Sequence, residues 1–286
     1  MDPGYLAPMR HTDQDRPIED LVIVGSGFVG TALAERLREK GLVERLRVTT
    51  RSDERRAALA DRGLDAHAVD LADRDALRSV VDGATHVVFS AAAGRGGDYG
   101  AVYDRGSAHL VDALGGAHLV YTSSTGVYAA SDGSWVDEDS PRVPREGRGG
   151  ALRAGEDHVL AAGGAVLRLS GLIGATRGPH RRVGALAGTE RDDGDAWLNL
   201  APLPTVLDAL ETALLRLHRG VVNVSAAAPL RRRDFYDRVL ARAGAEPIRW
   251  SETPADAPRG RRVRVDRLRT VLDVEPLPLD LDLLLG

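Results

Sequence analysis

The sequence contains no cysteine, and among its 38 basic residues only Lys40 is a lysine. The lack of cysteine excludes disulfide bonds, thiolate metal sites and cysteine nucleophiles, and we expect no metal centre. No run of about 18 apolar residues is present, which excludes a conventional membrane-spanning helix. Residues 1–17 lack the apolar segment of a secretory signal, so we expect a flexible polar tail and a cytoplasmic protein.

The charge balance also excludes classes of partner. The net charge is −4 at pH 7, so no broad basic field attracts nucleic acid or an anionic membrane. The apolar fraction of 43% and the charged fraction of 28% are typical of a globular protein. We therefore expect a small-molecule partner.

Short apolar runs alternate with helical patterns from residue 21 onward, which is typical of βαβ units and a parallel sheet. The predicted strands lie at 21–24, 46–50, 66–69, 86–89, 118–122, 165–169 and 221–224. The predicted helices lie at 31–40, 53–61, 73–81, 99–114, 151–162, 206–217, 232–243 and 265–272. Glycine, proline, serine and charge at 129–148 predict a surface loop.

These elements predict an α/β fold, a doubly wound parallel Rossmann sheet with a small C-terminal α/β cap. We expect residues 18–173 to form the dinucleotide-binding core. Residues 174–286 would return strands to the sheet and form a cap over the substrate.

A glycine-rich loop follows the first predicted strand directly and opens a helix: Gly25, Ser26, Gly27, Phe28, Val29 and Gly30. In a G-x-G-x-x-G loop the first glycine permits the tight turn, the second lets backbone approach a pyrophosphate, and the third allows helix and sheet to pack closely. The phosphates then bind at the helix N-terminus. This context predicts a dinucleotide cofactor.

The end of the second strand predicts which dinucleotide binds. An enzyme that prefers NAD usually places Asp or Glu there to bind the ribose 2′-hydroxyl. This chain has Thr50, Arg51 and Ser52 instead, and an arginine suits a 2′-phosphate. We expect NADP, with NAD as second choice. The alternative is that Arg51 is only a solvated loop charge.

Several motifs resemble those of the extended short-chain dehydrogenase/reductase family, and the likeness covers nearly everything from residue 20. They lie at 25–30, 69–71, 121–128, 135–144, 168–171 and 199–208. That family includes nucleotide-sugar epimerases and dehydratases, together with atypical members. The resemblance therefore implies a Rossmann enzyme without specifying its substrate. It also implies a possible homodimer formed through the helices at 99–114 and 151–162.

The resemblance also implies roles for individual residues. Asp70 and Leu71 would contact the adenine, and Ala91, Ala92 and Ala93 would line the side of the nicotinamide ribose. Ser124 matches the hydroxyl that hydrogen-bonds the reacting oxygen. The alternatives are a turn cap for Asp70 and a loop hydroxyl bonded to backbone for Ser124.

The chain departs from the family at its catalytic pair, a Tyr-x-x-x-Lys on the helix after the serine loop. In the family the tyrosine delivers a proton and the lysine lowers its pKa. Here no tyrosine lies between Tyr128 and Tyr236, and no lysine follows Lys40. Tyr128 is the candidate for a replacement proton donor. The competing interpretation places Tyr128 in the core.

Depending on register, the tyrosine position falls on Arg148 or Gly149 and the lysine position on Leu152 or Arg153. Either arginine could hold a ribose or a substrate anion. Arginine is nevertheless a poor proton donor, since its pKa stays above about 12.

Further cations follow the predicted strand at 165–169, in the region where family members hold substrate: Arg177, His180 and Arg181. A cationic cluster suits a phosphate or carboxylate, although a charge run is often simply solvated. We expect an atypical NADP-dependent oxidoreductase acting on a small, polar, anionic metabolite. The alternatives are a non-catalytic NADP(H) sensor and a nucleotide-sugar epimerase or dehydratase.

Overall fold

The computed structural model describes residues 17–94, 96–143 and 146–281, so most of the predicted tail, residues 1–16, lies outside the described part. The strands are β1 Ile18–Val24, β2 Val43–Thr50, β3 Asp65–Ala68, β4 His86–Phe89, β5 His118–Ser124, β6 Asp132–Val136, β7 Ala165–Leu169, β8 Gly171–Ile173, β9 Glu190–Arg191, β10 Trp197–Leu198, β11 Leu200–Pro202, β12 Gly220–Val224, β13 Leu230–Arg231, β14 Arg249–Trp250 and β15 Gly260–Val263. The helices are α1 Phe28–Glu39, α2 Asp53–Ala60, α3 Arg74–Val81, α4 Gly106–Ala113, α5 Gly147–Ala161, α6 Val183–Leu186, α7 Leu203–Leu215, α8 Arg232–Arg242 and α9 Asp266–Leu272.

Seven strands form one parallel sheet in the order β12-β7-β5-β4-β1-β2-β3. The order reverses direction between β1 and β4, and a ligand crevice forms at such a switch point in doubly wound sheets. The predicted fold class is confirmed. Within the described residues, no helix is long and apolar enough to cross a membrane.

Helices cover both faces of the sheet, as the apolar strands at its centre require. One core lies between the sheet and α1, α7 and α9, with buried residues such as Leu33, Leu210 and Leu268. The other lies against α3, α4 and α5, and includes Leu77, Leu110 and Val159. Burial on both faces explains why β1 is a continuous apolar run from Leu21.

The prediction of a surface loop at 129–148 was wrong in part, because Asp132–Val136 forms β6 and pairs with β15. The partner strand lies more than 120 residues later in the chain, so local composition cannot reveal it. The two strands bury Val136 and Val263 with Val127 and Tyr128 in a small separate core.

The predicted helix at 99–114 is also irregular. Gly100–Arg105 is a π-helix, and the regular α4 begins only at Gly106. A π-helix accommodates an extra residue per turn and shifts the side chains that follow it. This segment faces the carboxyl ends of β4 and β5, where the cleft described below lies.

The C-terminal half contributes both to the sheet and to a smaller layer. Strand β12 adds the edge of the sheet beside β7, and α7 covers one face. Short strand pairs, β8 with β11, β9 with β14 and β10 with β13, build the rest. Ile173, Leu200, Phe235 and Val239 are the buried core of this layer.

Candidate functional site

A cleft of about 510 Å³ lies at the carboxyl edge of the parallel sheet. Its walls come from the ends of β1, β2, β4, β5 and β7 and from the loops that follow them. This is where open α/β sheets bind their ligands, because the loops on either side of the switch point separate there.

The three glycines of the loop after β1 meet different surroundings. Gly25 has φ +100°, and a Cβ atom on it would lie 2.4 Å from the Ala91 backbone. A Cβ on Gly30 would lie 2.3 Å from the Gly25 carbonyl oxygen. A Cβ on Gly27 would meet no protein atom within 4 Å and would project into open space. Gly25 and Gly30 are therefore required by the fold, whereas Gly27 leaves room for a ligand.

Two backbone donors of the loop bond to the end of β2 and hold the loop against the sheet. The Thr49 hydroxyl accepts a hydrogen bond from the Gly25 N–H at 3.1 Å, and the Thr49 carbonyl accepts the Ser26 N–H at 2.8 Å. The Ser26 hydroxyl is buried without a partner among the described residues. Helix α1 begins at Phe28 with no acidic residue in its first turn and no side-chain cap. Such an N-terminus, beside an unpaired hydroxyl, fits a bound pyrophosphate.

Two arginines flank the end of the cleft next to β2. Arg51 and Arg55 both line it, and Arg51 is exposed. The Arg55 guanidinium donates long hydrogen bonds of 3.4 Å to the Ser26 carbonyl and the Thr31 hydroxyl. Ser52 does not line the cleft; its hydroxyl caps α2 by accepting the Arg55 N–H. Ser52 therefore has a structural contact where we expected a cofactor contact.

Of the two predicted adenine contacts, one lines the cleft and the other does not. Leu71 lines the cleft together with Val69, which provides an apolar wall. Asp70 is exposed and does not line the cleft; its carboxylate accepts the Ala72 N–H at 2.9 Å. Asp70 is thus a turn cap, which was the alternative interpretation. Among the described residues, no aspartate or glutamate lines the cleft.

The opposite end of the cleft contains polar groups from β5 and β7. Ala91 and Ala92 line it as expected, but Ala93 is buried behind them. Ser124 lines the cleft, and its hydroxyl accepts the Gly126 N–H at 3.1 Å. The two interpretations of Ser124 are compatible, since the hydroxyl hydrogen is still available to a ligand.

Tyr128 lies outside the cleft, contrary to its proposed role as proton donor. The side chain is 1% exposed, and its hydroxyl donates to the Asn223 side-chain oxygen at 2.6 Å. The Arg168 guanidinium donates to the same hydroxyl at 3.0 Å. Burial raises the pKa of Tyr128 to about 12. The 3₁₀ turn at Thr125–Val127 separates it from Ser124 and directs it into the core.

A buried charge pair lies behind the serine loop. Glu156 of α5 is fully buried, and its carboxylate accepts hydrogen bonds from Arg168 at 2.8 and 2.9 Å. Burial opposes the charge of Arg168, but its bonds to Glu156 raise its pKa overall. The Ser123 hydroxyl, at the wall of the cleft, donates to Glu156 at 2.7 Å. The pair therefore anchors the end of β5 to α5.

Helix α5 brings no cation to the cleft. Arg148 lies over the Tyr99 ring, 5.2 Å from its centroid, and faces a separate depression. Arg153 donates to the Val143 carbonyl at 2.9 Å and so fastens the preceding loop. At Gly149 a Cβ would lie 2.7 Å from a methyl carbon of Val143, which fills that space. Arg148 and Arg153 do not line the cleft, so the expectation that they contact the substrate there was wrong.

One of the three cations after β7 reaches the cleft. Arg177 lines it and lies 5.6 Å from the Phe28 ring centroid. Arg177 and Arg181 also line an adjoining cavity of about 530 Å³, with Arg182. His180 lines neither cavity, and burial lowers its pKa.

Several polar residues of the cleft were not predicted from the sequence, and Tyr103 and Ser170 are two of them. Tyr103 of the π-helix lines it, and so does Ser170, whose buried hydroxyl has no partner among the described residues. Ser170 was within the 168–171 motif and could have been identified there. Tyr103 carried no signal, because the position of a π-helix cannot be read from spacing based on 3.6 residues per turn.

The sequence and the fold were compared with those of known proteins. The model of the family described as "NAD dependent epimerase/dehydratase family" matches residues 21–188. No curated protein matches the chain in sequence.

Three solved structures are similar in fold. A putative epimerase from Burkholderia cenocepacia J2315 is 20% identical with a TM-score of 0.79, over 94% of this chain and 96% of that one. The Bordetella bronchiseptica enzyme WbmG, in complex with NAD and UDP, is 23% identical with a TM-score of 0.73, over 90% and 89%. MoeE5, in complex with UDP-glucose and NAD, is 20% identical with a TM-score of 0.72, over 90% and 93%.

Proposed function

Because this chain belongs to the NAD dependent epimerase/dehydratase family, we propose that it is an NADP-dependent oxidoreductase acting on a small, polar, anionic metabolite. The observation that carries the proposal is the charge of the cleft. Arginines stand at both of its ends, Arg51 and Arg55 at one and Arg177 at the other, and no carboxylate lines it within the described residues.

The cofactor would be held mainly by backbone and small side chains. Gly27 and the N-terminus of α1 would receive the pyrophosphate, with the free Ser26 hydroxyl as an additional donor. Leu71 and Val69 would pack against the adenine. When bound, the nicotinamide supplies or accepts hydride. The chain's own contribution is then to orient the substrate and to exchange its proton.

The preference for NADP rests on the end of β2. A 2′-phosphate there would meet the exposed guanidinium of Arg51, with Arg55 one helical turn away. Asp53 and Glu54 follow Arg51 closely in sequence, but neither lines the cleft. An enzyme that selects NAD would need an acid at this edge for the ribose hydroxyls.

Calorimetry with NADPH and NADH on the Arg51→Ala variant tests the preference. We expect NADPH binding to weaken by about 1–3 kcal/mol, the value of a hydrogen bond to a charged group, with NADH binding unchanged. Arg56→Ala is the matched control, since Arg56 is exposed, pairs with Asp53 at 3.0 Å and does not line the cleft. Equal affinity of the wild-type protein for NADPH and NADH would refute the preference.

A nucleotide-sugar substrate is the second candidate, and the adjoining cavity favours it. Arg177, Arg181 and Arg182 surround that space, a grouping that suits a diphosphate. UDP was bound in the similar WbmG structure. If a nucleoside diphosphate occupies this cavity, UDP should bind the cofactor-loaded protein, and Arg181→Ala should weaken it by about tenfold, or about 1.4 kcal/mol. Absence of UDP binding at millimolar concentration would exclude this class.

A further inference from the structure

Tyr103 is a phenol in the cleft for which the family assignment provides no role. Of the chain's 6 tyrosines, it is the one whose side chain lines the cavity within the described residues. Tyr128 and Tyr121 are buried in the core. Tyr99 is half-buried and borders the shallow depression beside Arg148.

We propose that Tyr103 is the catalytic acid and base of this cleft, exchanging a proton with a substrate oxygen held beside Ser124. The inference rests on the proposed oxidoreductase function and adds the residue that the missing tyrosine of α5 leaves unassigned. Both side chains line the same cavity, whereas the Tyr128 hydroxyl is occupied by Asn223 and Arg168.

The hydroxyl of Tyr103 is held by one backbone hydrogen bond. It accepts a hydrogen bond from the Ala93 N–H, with an N–O distance of 3.4 Å. Among the described residues no acceptor takes its hydrogen. A phenol that accepts one bond from backbone keeps its own proton free for a ligand. Ala93 follows the alanines that line the cleft at the end of β4, so this bond positions the phenol at the cavity wall.

The π-helix accounts for this placement. Its wide turn frees backbone carbonyls, and the buried Ser107 hydroxyl donates to those of Tyr103 at 2.6 Å and Asp104 at 2.9 Å. A π-bulge is rare and is frequently found at functional sites. Here it changes the helical phase just before α4, at the residue that enters the cleft.

Close packing against α5 holds the segment in place. A Cβ on Gly155 would lie 2.4 Å from the Tyr103 carbonyl oxygen, so only glycine allows α5 to approach this closely. The Tyr99 ring packs against the Tyr103 ring at 5.2 Å between centroids. The phenol is therefore supported on its backbone side and on its ring.

The electrostatic surroundings suit an acid that is protonated at neutral pH. Burial raises the pKa of Tyr103, while the Ala93 N–H and the charge of Arg177 act in the opposite direction. Arg177 thus stabilises the phenolate that remains after a proton has left. Positioned proton donors of this kind typically contribute about 10²–10⁴-fold to rate.

In reduction, the substrate carbonyl carbon would receive hydride from a reduced nicotinamide cofactor, and its oxygen would take the Tyr103 proton. This gives an alcohol, an oxidised cofactor and a phenolate that water reprotonates. In oxidation, the phenol would first lose its proton to water, and the phenolate would then take the substrate hydroxyl proton while hydride passes to the oxidised cofactor.

The placement of Tyr103 is tested by NMR on protein labelled at the Cζ carbon of tyrosine. The resonance missing from Tyr103→Phe identifies the residue. NADP⁺ and NAD⁺ are then titrated, together with the matching ADP-ribose compounds that lack nicotinamide, and calorimetry measures binding of each. We expect the Tyr103 resonance to move with the intact cofactor and to respond much less to the ADP-ribose compound.

The outcomes are distinguishable. If neither dinucleotide binds, the proposed function fails and this inference fails with it. If one binds and the Tyr103 resonance is unmoved, or moves equally with the ADP-ribose compound, only the inference is overturned.

A measurement of enzyme activity tests the contribution of Tyr103 to the catalytic rate. On whichever compound of a carbonyl and nucleotide-sugar panel turns over, Tyr103→Phe should lower kcat by at least about 10²-fold with KM nearly unchanged and cofactor affinity intact. The matched control is Tyr99→Phe, which keeps the ring on the same segment and should retain full activity. Wild-type kcat in Tyr103→Phe would overturn the proposal.

Discussion

Tyr128 shows at the scale of a single residue how a hydroxyl can serve the fold instead of the chemistry. Its oxygen joins Asn223 of β12 to Arg168 of β7, beneath the sheet edge. Asn223 in turn donates its backbone N–H to the buried Glu138 carboxylate at 2.8 Å. Removing one member of such a network leaves its partners buried and unsatisfied.

Tyr128→Phe should therefore destabilise the protein by about 1–3 kcal/mol, the cost of a buried group left unpaired, without changing cofactor affinity. Chemical denaturation measures the first quantity and calorimetry the second. Tyr236→Phe serves as the control, because Tyr236 is only half-buried and packs on Phe235 through its ring. Unchanged stability together with weakened cofactor binding would contradict this account and indicate that Tyr128 contacts the cofactor.

The sequence predicted the residues of the cleft where a local motif carried them. The glycine loop from Gly25 to Val29, Arg51, Leu71 and Ser124 all line the cavity. Ser52 was assigned to the cofactor because it follows Arg51, and Asp70 because of the family resemblance, yet their side chains cap α2 and a turn. Adjacent side chains point in different directions, so proximity in sequence does not place a residue in a site.

At the scale of elements, the contact of α5 with the π-helix determines the shape of one wall of the cleft. Gly155 and the Tyr103 carbonyl are in direct contact, and Gly106 faces Leu71 at the start of α4. Any side chain at Gly155 would separate the two helices, because backbone atoms on both sides cannot be displaced cheaply.

Gly155→Ala should destabilise the fold by about 1–3 kcal/mol through overpacking, even though alanine favours the helical state over glycine. Thermal and chemical denaturation provide the measurement. Gly184→Ala in α6 is the comparison, since a Cβ there meets no atom within 4 Å and should be neutral or slightly stabilising. A stable Gly155→Ala protein would mean that the two helices can separate without cost.

Elements were predictable where their pattern is local. Parallel strands buried on both faces read as apolar runs, which is why strands such as β1, β4 and β7 could be found. Strand β6 could not, since its partner β15 lies far along the chain and its composition resembles a loop. The π-helix was also missed, because a pattern based on 3.6 residues per turn does not locate one extra residue within a turn.

At the scale of the whole molecule, the edge of the sheet opposite the cleft contains a cluster of histidines. His86 and His118 begin β4 and β5, with ring centroids 5.9 Å apart. Burial and then the charge of His86 lower the pKa of His118 to about 4, and burial also lowers the pKa values of His86 and His218.

These histidines predict loss of stability in acid. Between pH 6.5, the ordinary pKa of histidine, and about 4, the unfolded chain binds protons that folded His118 does not. The free energy of unfolding should therefore fall as the pH falls through this window and should be steady above it. Chemical denaturation at a series of pH values measures the slope.

His118→Leu should flatten this slope, because it removes a buried group that must gain a proton on unfolding. His67→Gln is the matched control, since the His67 side chain is 41% exposed on β3. An unchanged slope in His118→Leu would assign the acid sensitivity to other groups.

The central claim is that a dinucleotide binds at the loop after β1, and calorimetry on Gly27→Val tests it most directly. Because a Cβ on Gly27 points into open space, the fold should tolerate the substitution while the branched side chain occupies the room that a pyrophosphate needs. We expect an unchanged circular dichroism spectrum and unfolding temperature, with loss of both NADPH and NADH binding. Wild-type cofactor affinity in a folded Gly27→Val protein would contradict the account.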